Sequence, residues 1–277
     1  MELLRPSSLD ELAAVEPGRG AFLAGGTELV PLLRDGLVET ETLVDVAGLV
    51  PAGIEGTRIG AGATLAAVEA DARVPDALRE ACRLAASPQL RAMGSIGGNL
   101  LQATRCWYWR LGYRQCRLHG GDRCLAADGE HREHAVVAND FCASAHPSDV
   151  AAALVALGAT VCTTRRDLPV RDLYRLPTEE DRRTTTLEPG ELLLVLDVPP
   201  ADASVYLKAM DRKRWSFPLV GVAAVRRGDE TTVALAGVAP VPWLDDGSLD
   251  AATPLPGTAY KLELARVLVE RALAKLG

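Results

Sequence analysis

The sequence predicts an α+β protein built in two parts, and three observations carry that prediction. From residue 1 to about 165, short helix and strand signals alternate around glycine turns. Beyond that, four strand-like runs, "ELLLVLDVP", "SVYLKAMD", "PLVGVAAVRR" and "TTVALAGVAP", precede one long helical run, "TAYKLELARVLVERALAKL". Between the two textures lies the polar stretch "RLPTEEDRRTTTLEPGE", which reads as a linker or mobile loop. The predicted parts are residues 1–170 and 171–277.

The elements follow in order. "SSLDEL" opens a helix, with Ser8 as N-cap and Glu11 three residues on as the return half of a capping box. "AFLAGGTELVPLLRDG" reads as a strand, a tight turn at Gly25-Gly26, and a helix starting at Thr27 or Glu28. Pro31 is tolerable only in the first turn of that helix, and Gly36 stops it. "LVDVAG" and "TRIGAGAT" read as short strands, "TLAAVEAD" and "PDALREACRLAAS" as helices. Ser87 and Pro88 cap and begin another helix. Residues 95–147 show no sustained period and read as loop. "PSDVAAALVALGATVCTT" is a capped apolar helix running into a strand. "RRGDET" is a hairpin turn, and the final helix places Leu264, Val267, Leu268 and Ala272 on one face.

Composition sets the bounds. The 277 residues suffice for a sizeable core. Apolar residues at 48% and charged residues at 24% are ordinary for a soluble globular chain. A net charge of −7 excludes a general nucleic-acid binder. No apolar run reaches the roughly 18–20 residues of a membrane span. The start, "MELLRPSSLDEL", lacks a basic segment followed by an apolar one, so no signal peptide is expected and the default compartment is the cytoplasm. In that reducing setting six cysteines are thiols or metal ligands rather than disulfides.

The bias is local. Cys106, Cys116, Cys124 and Cys142 fall in one 37-residue window, and His119, His131, His134 and His146 lie in or beside it, with Trp107, Tyr108, Trp109 and Tyr113. The spacing C-x9-C-x7-C-x17-C offers four soft ligands. It suits an iron–sulfur cluster or zinc, and it leaves redox or unliganded thiols open. The histidines read as loop surface, and Cys82 and Cys162 as buried small hydrophobes. "RCWYWRLGYRQCR" interleaves arginine with rings as a single-strand binder does, but shielding a metal site is the better account. The second glycine pair, Gly97-Gly98 in "SIGGNL", lies just before this window. Glycines let backbone N–H groups converge on an anion, so two such turns can grip the two phosphates of a dinucleotide. "IGAGATLAAVEAD" sits where a Rossmann turn would, but Leu65 replaces the third glycine, so that fingerprint is absent.

In order along the chain, "LAGGTELVPLLRDG", "IGAGATL", "SPQLRAMGSIGGNLLQATRC", "HPSDVAAALVALGA", "GELLLVLDVP", "YLKAMDRKRWSFPLVGVAAV" and "LAGVAPVPW" resemble the FAD-binding subunit of molybdenum hydroxylases of the xanthine dehydrogenase family. The resemblance implies a two-part FAD-binding domain of the vanillyl-alcohol-oxidase type, followed by an α+β domain of the CO-dehydrogenase-flavoprotein type. The insert at about 102–146 resembles the branch whose flavin subunit also holds a [4Fe-4S] cluster, as in aldehyde oxidoreductases and 4-hydroxybenzoyl-CoA reductase. By that resemblance Phe22, Leu23, Ala24, Gly25, Gly26, Thr27, Glu28 and Leu29 wrap the FAD pyrophosphate, and Ser95, Ile96, Gly97, Gly98 and Asn99 grip it from the other side. Thr64 and Thr104 add polar contacts. Asp149 reaches the adenosine or ribityl part, unless it only caps its helix. Leu193 and Lys208 contact the flavin, and Cys106, Cys116, Cys124 and Cys142 ligate the cluster. Ser216 departs from the pattern, since many relatives place an acid before the Phe.

The implied role is electron transfer. A partner large subunit would hold the molybdenum cofactor and a small subunit the [2Fe-2S] centres. FAD would pass electrons to NAD, ferredoxin, quinone or oxygen, with no nucleic acid and no membrane span involved. The rivals are a stand-alone flavin oxidase and a zinc-stabilised binding module. Colour separates the second, because a zinc protein is colourless.

Overall fold

The computed structural model describes residues 1–15, 20–245 and 248–277. Among these residues the strands make three sheets. The first is parallel: β1 (Glu2–Leu4), β2 (Gly20–Leu23) and β3 (Thr42–Asp45), in the order β1-β3-β2. The second contains β4 (Ile54–Glu55), β5 (Arg58–Gly60), β6 (Thr160–Thr163), β7 (Asp167–Pro169) and β8 (Leu193–Asp197). Its order is β4-β5-β8-β6-β7, with every neighbouring pair antiparallel. The third is an antiparallel ladder of β9 (Ala203–Ala209), β10 (Val220–Arg227), β11 (Glu230–Ala236) and β12 (Trp243–Leu244), ordered β12-β11-β10-β9. The α+β class holds.

Helix starts obey their caps. Helix α1 (Leu9–Ala13) begins at Ser8, whose hydroxyl accepts the Glu11 N–H, but the Glu11 carboxylate accepts the N–H of Ser7 rather than Ser8, a capping box shifted by one residue. Helix α2 (Leu29–Arg34) carries Pro31 in its first turn, where a backbone N–H has no intrahelical acceptor and its absence costs no helix bond. Helices α3 (Leu65–Ala70), α4 (Asp76–Leu84) and α5 (Pro88–Met93) follow. Thr64 caps α3 and Ser87 caps α5, with Pro88 at N1. The stretch read as loop holds three short helices, α6 (Ile96–Leu100), α7 (Trp107–Arg110) and α8 (Leu125–Asp128), too short to show a period. Helix α9 (Asp149–Ala156), capped by Ser148, is buried at every position, as a helix apolar all round must be. It packs between α4 and the third sheet.

β10 explains how the two cores share a wall. Ala223 and Val225 face the core built on α4 and α9, whereas Val220, Val222 and Ala224 face a second core under the last helix, α10 (Tyr260–Leu276). Alternation along one strand therefore feeds both.

Four expectations need correction. The run "ELLLVLDVP" does not join the later strands; β8 is hydrogen-bonded between β5 and β6, because its alternate residues complete the earlier sheet. The polar stretch 175–191 consequently leaves and re-enters that same sheet rather than bridging two units. It is tied down by Arg175–Asp181 and by the Arg182 guanidinium, which donates to the carbonyls of Arg117 and Gly121. On α10 the buried stripe is Lys261, Ala265, Leu268, Ala272 and Leu276. Leu264 and Val267 flank it, because the stripe follows the facing sheet and turns slightly from the most apolar arc. Cys82 is fully buried as expected, but Cys162 is only half-buried.

Candidate functional site

The first glycine turn packs on the residues that lead into the second. A Cβ on Gly25 would lie 1.9 Å from the Met93 carbonyl oxygen, so the turn after β2 sits directly on the end of α5. A Cβ on Gly97 would come within 3.0 Å of Ala61, and one on Gly60 would sit 2.1 Å from the Pro51 carbonyl oxygen. The segment dismissed as a false Rossmann turn is therefore part of the same stack, and Ala61, Gly62 and Thr64 face the cleft beside the two turns. Close backbone approach, rather than turn conformation alone, selects glycine here.

The amides of the two turns differ. In the second turn the N–H groups are engaged within the protein: Ile96 to the Ala63 carbonyl, Gly97 to the Ala61 carbonyl at 2.8 Å, Gly98 to Ser95 Oγ at 3.1 Å and Asn99 to the Ser95 carbonyl at 2.9 Å. In the first, the N–H groups of Gly25, Gly26, Thr27 and Glu28 donate to no acceptor among the described residues. Gly26 has φ +71°, which leaves these donors converging at the cleft. Successive free amides in such a turn form an anion nest.

The cleft has two arms that meet at Thr27, Glu28, Ser95 and Gly98. The larger, about 530 Å³, is mostly apolar, with Phe22, Leu32, Val46 and Leu193 in its walls and residues 24–29 along one side. The smaller, about 300 Å³, is more polar and reaches Asn99, Asp149, Lys208, Trp215 and Phe217. An apolar slot, a donor-lined waist and a polar slot suit a long dinucleotide. Of the residues expected there, Leu23, Ile96 and Thr104 stand outside. Leu23 lies in β2 and its carbonyl accepts the Val46 N–H. Ile96 is fully buried in the core. Thr104 Oγ1 accepts the Cys106 N–H and so belongs to the insert.

Two charged clusters shape the polar arm. Asp149, at the start of α9, accepts from Tyr206 Oη at 2.5 Å and Lys208 Nζ at 2.8 Å, and Lys208 also donates to the Leu84 carbonyl. Burial raises the Asp149 pKa above its ordinary value, against the pull of the Lys208 ammonium. Glu28 is the second hub. Its carboxylate pairs with Arg105 and Arg110 and accepts the Ala103 N–H. The sequence reading puts the Glu28 backbone amide on the pyrophosphate; its side chain ties the first glycine turn to the root of the cysteine insert. Arg105, which sequence reasoning missed, also stacks on Phe217 at 4.7 Å.

In the insert, the four expected cysteines lie in one region. Cys106 interacts electrostatically with Cys116 and Cys124, and Cys142 with Cys124 and Cys106. The Ala143 N–H donates to the Cys124 sulfur at 3.4 Å. Ser144 lies 3.3 Å from the Cys142 sulfur. Burial pushes the Cys106 thiol up to about 11 and Cys142 to about 12, so free thiols here stay protonated. Thiolates in this region call for a bound cation, and the amide donor suits sulfur carrying negative charge. Among the described residues no group of three or more His, Cys, Asp or Glu side chains is arranged to hold a metal ion.

The aromatic run turns inward. Trp107 meets His134 edge-on at 4.6 Å, Trp109 stacks on His119, and Tyr108 Oη accepts the Glu130 N–H. The rings scaffold the insert rather than offering faces to bases. His134 and His146 are buried, against the expectation of surface histidines. Burial depresses the His146 pKa to about 3, while an unfolded histidine titrates near 6.5. Between those values the unfolded chain takes up the proton and the folded one does not. The stabilising effect of His146 is therefore complete above pH 6.5 and is lost as pH falls, by about 2–3 kcal/mol near pH 4.5. Urea unfolding of wild type and His146→Phe at pH 7 and 4.5 checks this: the variant should show a shallower loss, and equal losses would contradict it.

Fold and cleft together have the features of a dinucleotide-binding flavoprotein that lacks a Rossmann turn and offers free amides at a glycine turn instead. The family model described as the FAD binding domain in molybdopterin dehydrogenase matches residues 1–201, and the chain belongs to that family. It is 38% identical over 240 aligned residues to the aldehyde oxidoreductase FAD-binding subunit PaoB of Escherichia coli K12, covering 80% of this chain and 76% of that protein. It is 28% identical to the carbon monoxide dehydrogenase medium chain of Afipia carboxidovorans, covering 98% and 80%. Among solved structures, a Cu,Mo-CO dehydrogenase chain superposes with TM-score 0.69 at 25% identity, covering all of this chain and 97% of the other. The carbon monoxide dehydrogenase of Hydrogenophaga pseudoflava shares the fold at TM-score 0.70 and 22% identity, covering 100% and 96%. Among the described residues no helix is long and apolar enough to cross a membrane.

Proposed function

We propose that this chain is the electron-transfer flavoprotein subunit of a molybdenum hydroxylase complex, and that Cys106, Cys116, Cys124 and Cys142 hold a [4Fe-4S] cluster beside the flavin. FAD, when bound, exchanges electrons singly with clusters and in pairs with an acceptor. The supporting observation is the Glu28 junction. The turn that presents four free amides to the cleft is ion-paired to Arg105 and Arg110, the residues that flank the first cysteine of the insert. The first glycine turn and the start of the cysteine insert are thus fixed to each other.

The chain's own residues then have definite tasks. The amides of Gly25–Glu28 bind the diphosphate. Lys208 and Asp149 form one wall of the polar arm, and Trp215 and Phe217 cover its mouth. The partners are a molybdenum-cofactor large subunit and a [2Fe-2S] small subunit, with the acceptor NAD, ferredoxin, quinone or oxygen. The complex co-expressed with those partners should contain one FAD per copy of this chain, and four iron and four sulfide beyond those of the [2Fe-2S] small subunit. Cys116→Ser should lose those four extra iron and keep the FAD. A complex with FAD but no iron in this chain would refute the cluster, and turnover by the isolated chain would favour a stand-alone oxidase.

A further inference from the structure

A lysine in the first turn of a helix opposes the helix dipole and needs a compensating reason. Lys261, second residue of α10, is fully buried, and its ammonium donates to three carbonyls: Glu133 at 2.8 Å, His134 at 2.9 Å and Gly237 at 2.8 Å. All three of its N–H groups are engaged. The neighbours act on the same segment. The Gly257 N–H donates to His131 Nε2, and Tyr260 Oη donates to the Arg132 carbonyl. The start of α10 therefore grips residues 131–134 one after another, fixing this strip of the insert to the C-terminal helix.

The residue so held faces a cysteine. His134 is 2% exposed, its ring is wedged edge-on against Trp107, and its Nε2 lies 3.2 Å from Cys106 Sγ. Its Nδ1 is buried without a partner. A ligating cysteine is a thiolate, which only accepts, so the nitrogen facing it must carry the proton.

We propose that His134 donates a hydrogen bond to the Cys106 thiolate, that Lys261 is the positioning residue that holds it there, and that together they raise the reduction potential of the metal centre. The inference rests on the cluster reading above. A hydrogen bond to a ligating sulfur withdraws charge from it and favours the reduced cluster.

The test is a redox titration of the assembled complex followed by low-temperature EPR of the reduced cluster, with iron and sulfide analysis. His134→Phe should keep its iron and shift the cluster to a lower potential, leaving the flavin potential unchanged. Lys261→Met should also lower the potential, or lose iron as residues 131–134 come free. An iron-loaded His134→Phe or Lys261→Met with wild-type potential overturns the proposal. If His134→Phe loses its iron, His134→Gln decides, because its amide N–H reaches the same position. Iron and wild-type potential in His134→Gln support the donor role, and loss of iron there too overturns it by making His134 a ligand. A wild-type complex with no iron beyond that of its [2Fe-2S] small subunit overturns both readings, whereas one that carries the four extra iron and has unmoved variants overturns this inference alone.

Discussion

Gly25→Ala is expected to empty the flavin cleft. The new methyl would lie 1.9 Å from the Met93 carbonyl oxygen, a contact that no side-chain rotation relieves because the obstacle is backbone. Either the first glycine turn or the end of α5 must move, and both line the cleft. Forced overpacking of this kind costs about 3 kcal/mol. If that cost falls on the bound state, FAD affinity drops about 100-fold. Flavin content after purification and fluorescence titration of apoprotein measure it. Gly48→Ala is the control: nothing lies within 4 Å of its added Cβ, and it should bind FAD like wild type. FAD affinity in Gly25→Ala equal to wild type would show that the first turn is not rigidly stacked on the end of α5.

Lys208→Met should be the most destabilising change on the polar arm. Side-chain exposures of 1% for Lys208 and 3% for Asp149 mark a buried ion pair. The surroundings are built for it. Gly221, opposite Lys208 in the β9–β10 register, has no Cβ; one there would lie 2.0 Å from Tyr206 Oη, which it would displace from Asp149. Removing the lysine strands a buried carboxylate whose pKa burial already raises, at a cost of about 3–5 kcal/mol. Lys208→Met/Asp149→Asn should recover part of that loss, since the uncompensated charge is gone. Urea unfolding of the three proteins settles it. A Lys208→Met protein within about 0.5 kcal/mol of wild type would mean that the pair contributes no net stability.

The local features were legible in the sequence for local reasons. Ser87 before Pro88, Thr64 before "LAAVEA" and Ser148 before "DVAAALVA" name helix starts because a cap bonds only three residues ahead. The glycine pairs name tight approaches because no other residue leaves the space. The four cysteines are visible as a cluster of one residue type, and their neighbourhood in space follows from closeness in sequence.

What could not be read there depends on long-range partners. Glu28 meets Arg105 across 77 residues, and Lys261 meets the Glu133 carbonyl across 128. The same period-2 pattern puts "ELLLVLDVP" in a sheet without saying which one, and its place between β5 and β6 is set by unpaired edges elsewhere. The sequence alone determined the α+β class, the glycine turns, the caps and the thiol-rich insert, because these are demands of adjacent backbone. Tertiary structure alone decided which turn keeps its amides free, which carboxylate joins the turn to the insert, and which histidine faces a cysteine. Those outcomes depend on burial and on charges meeting across the chain, and no window of neighbouring residues encodes them.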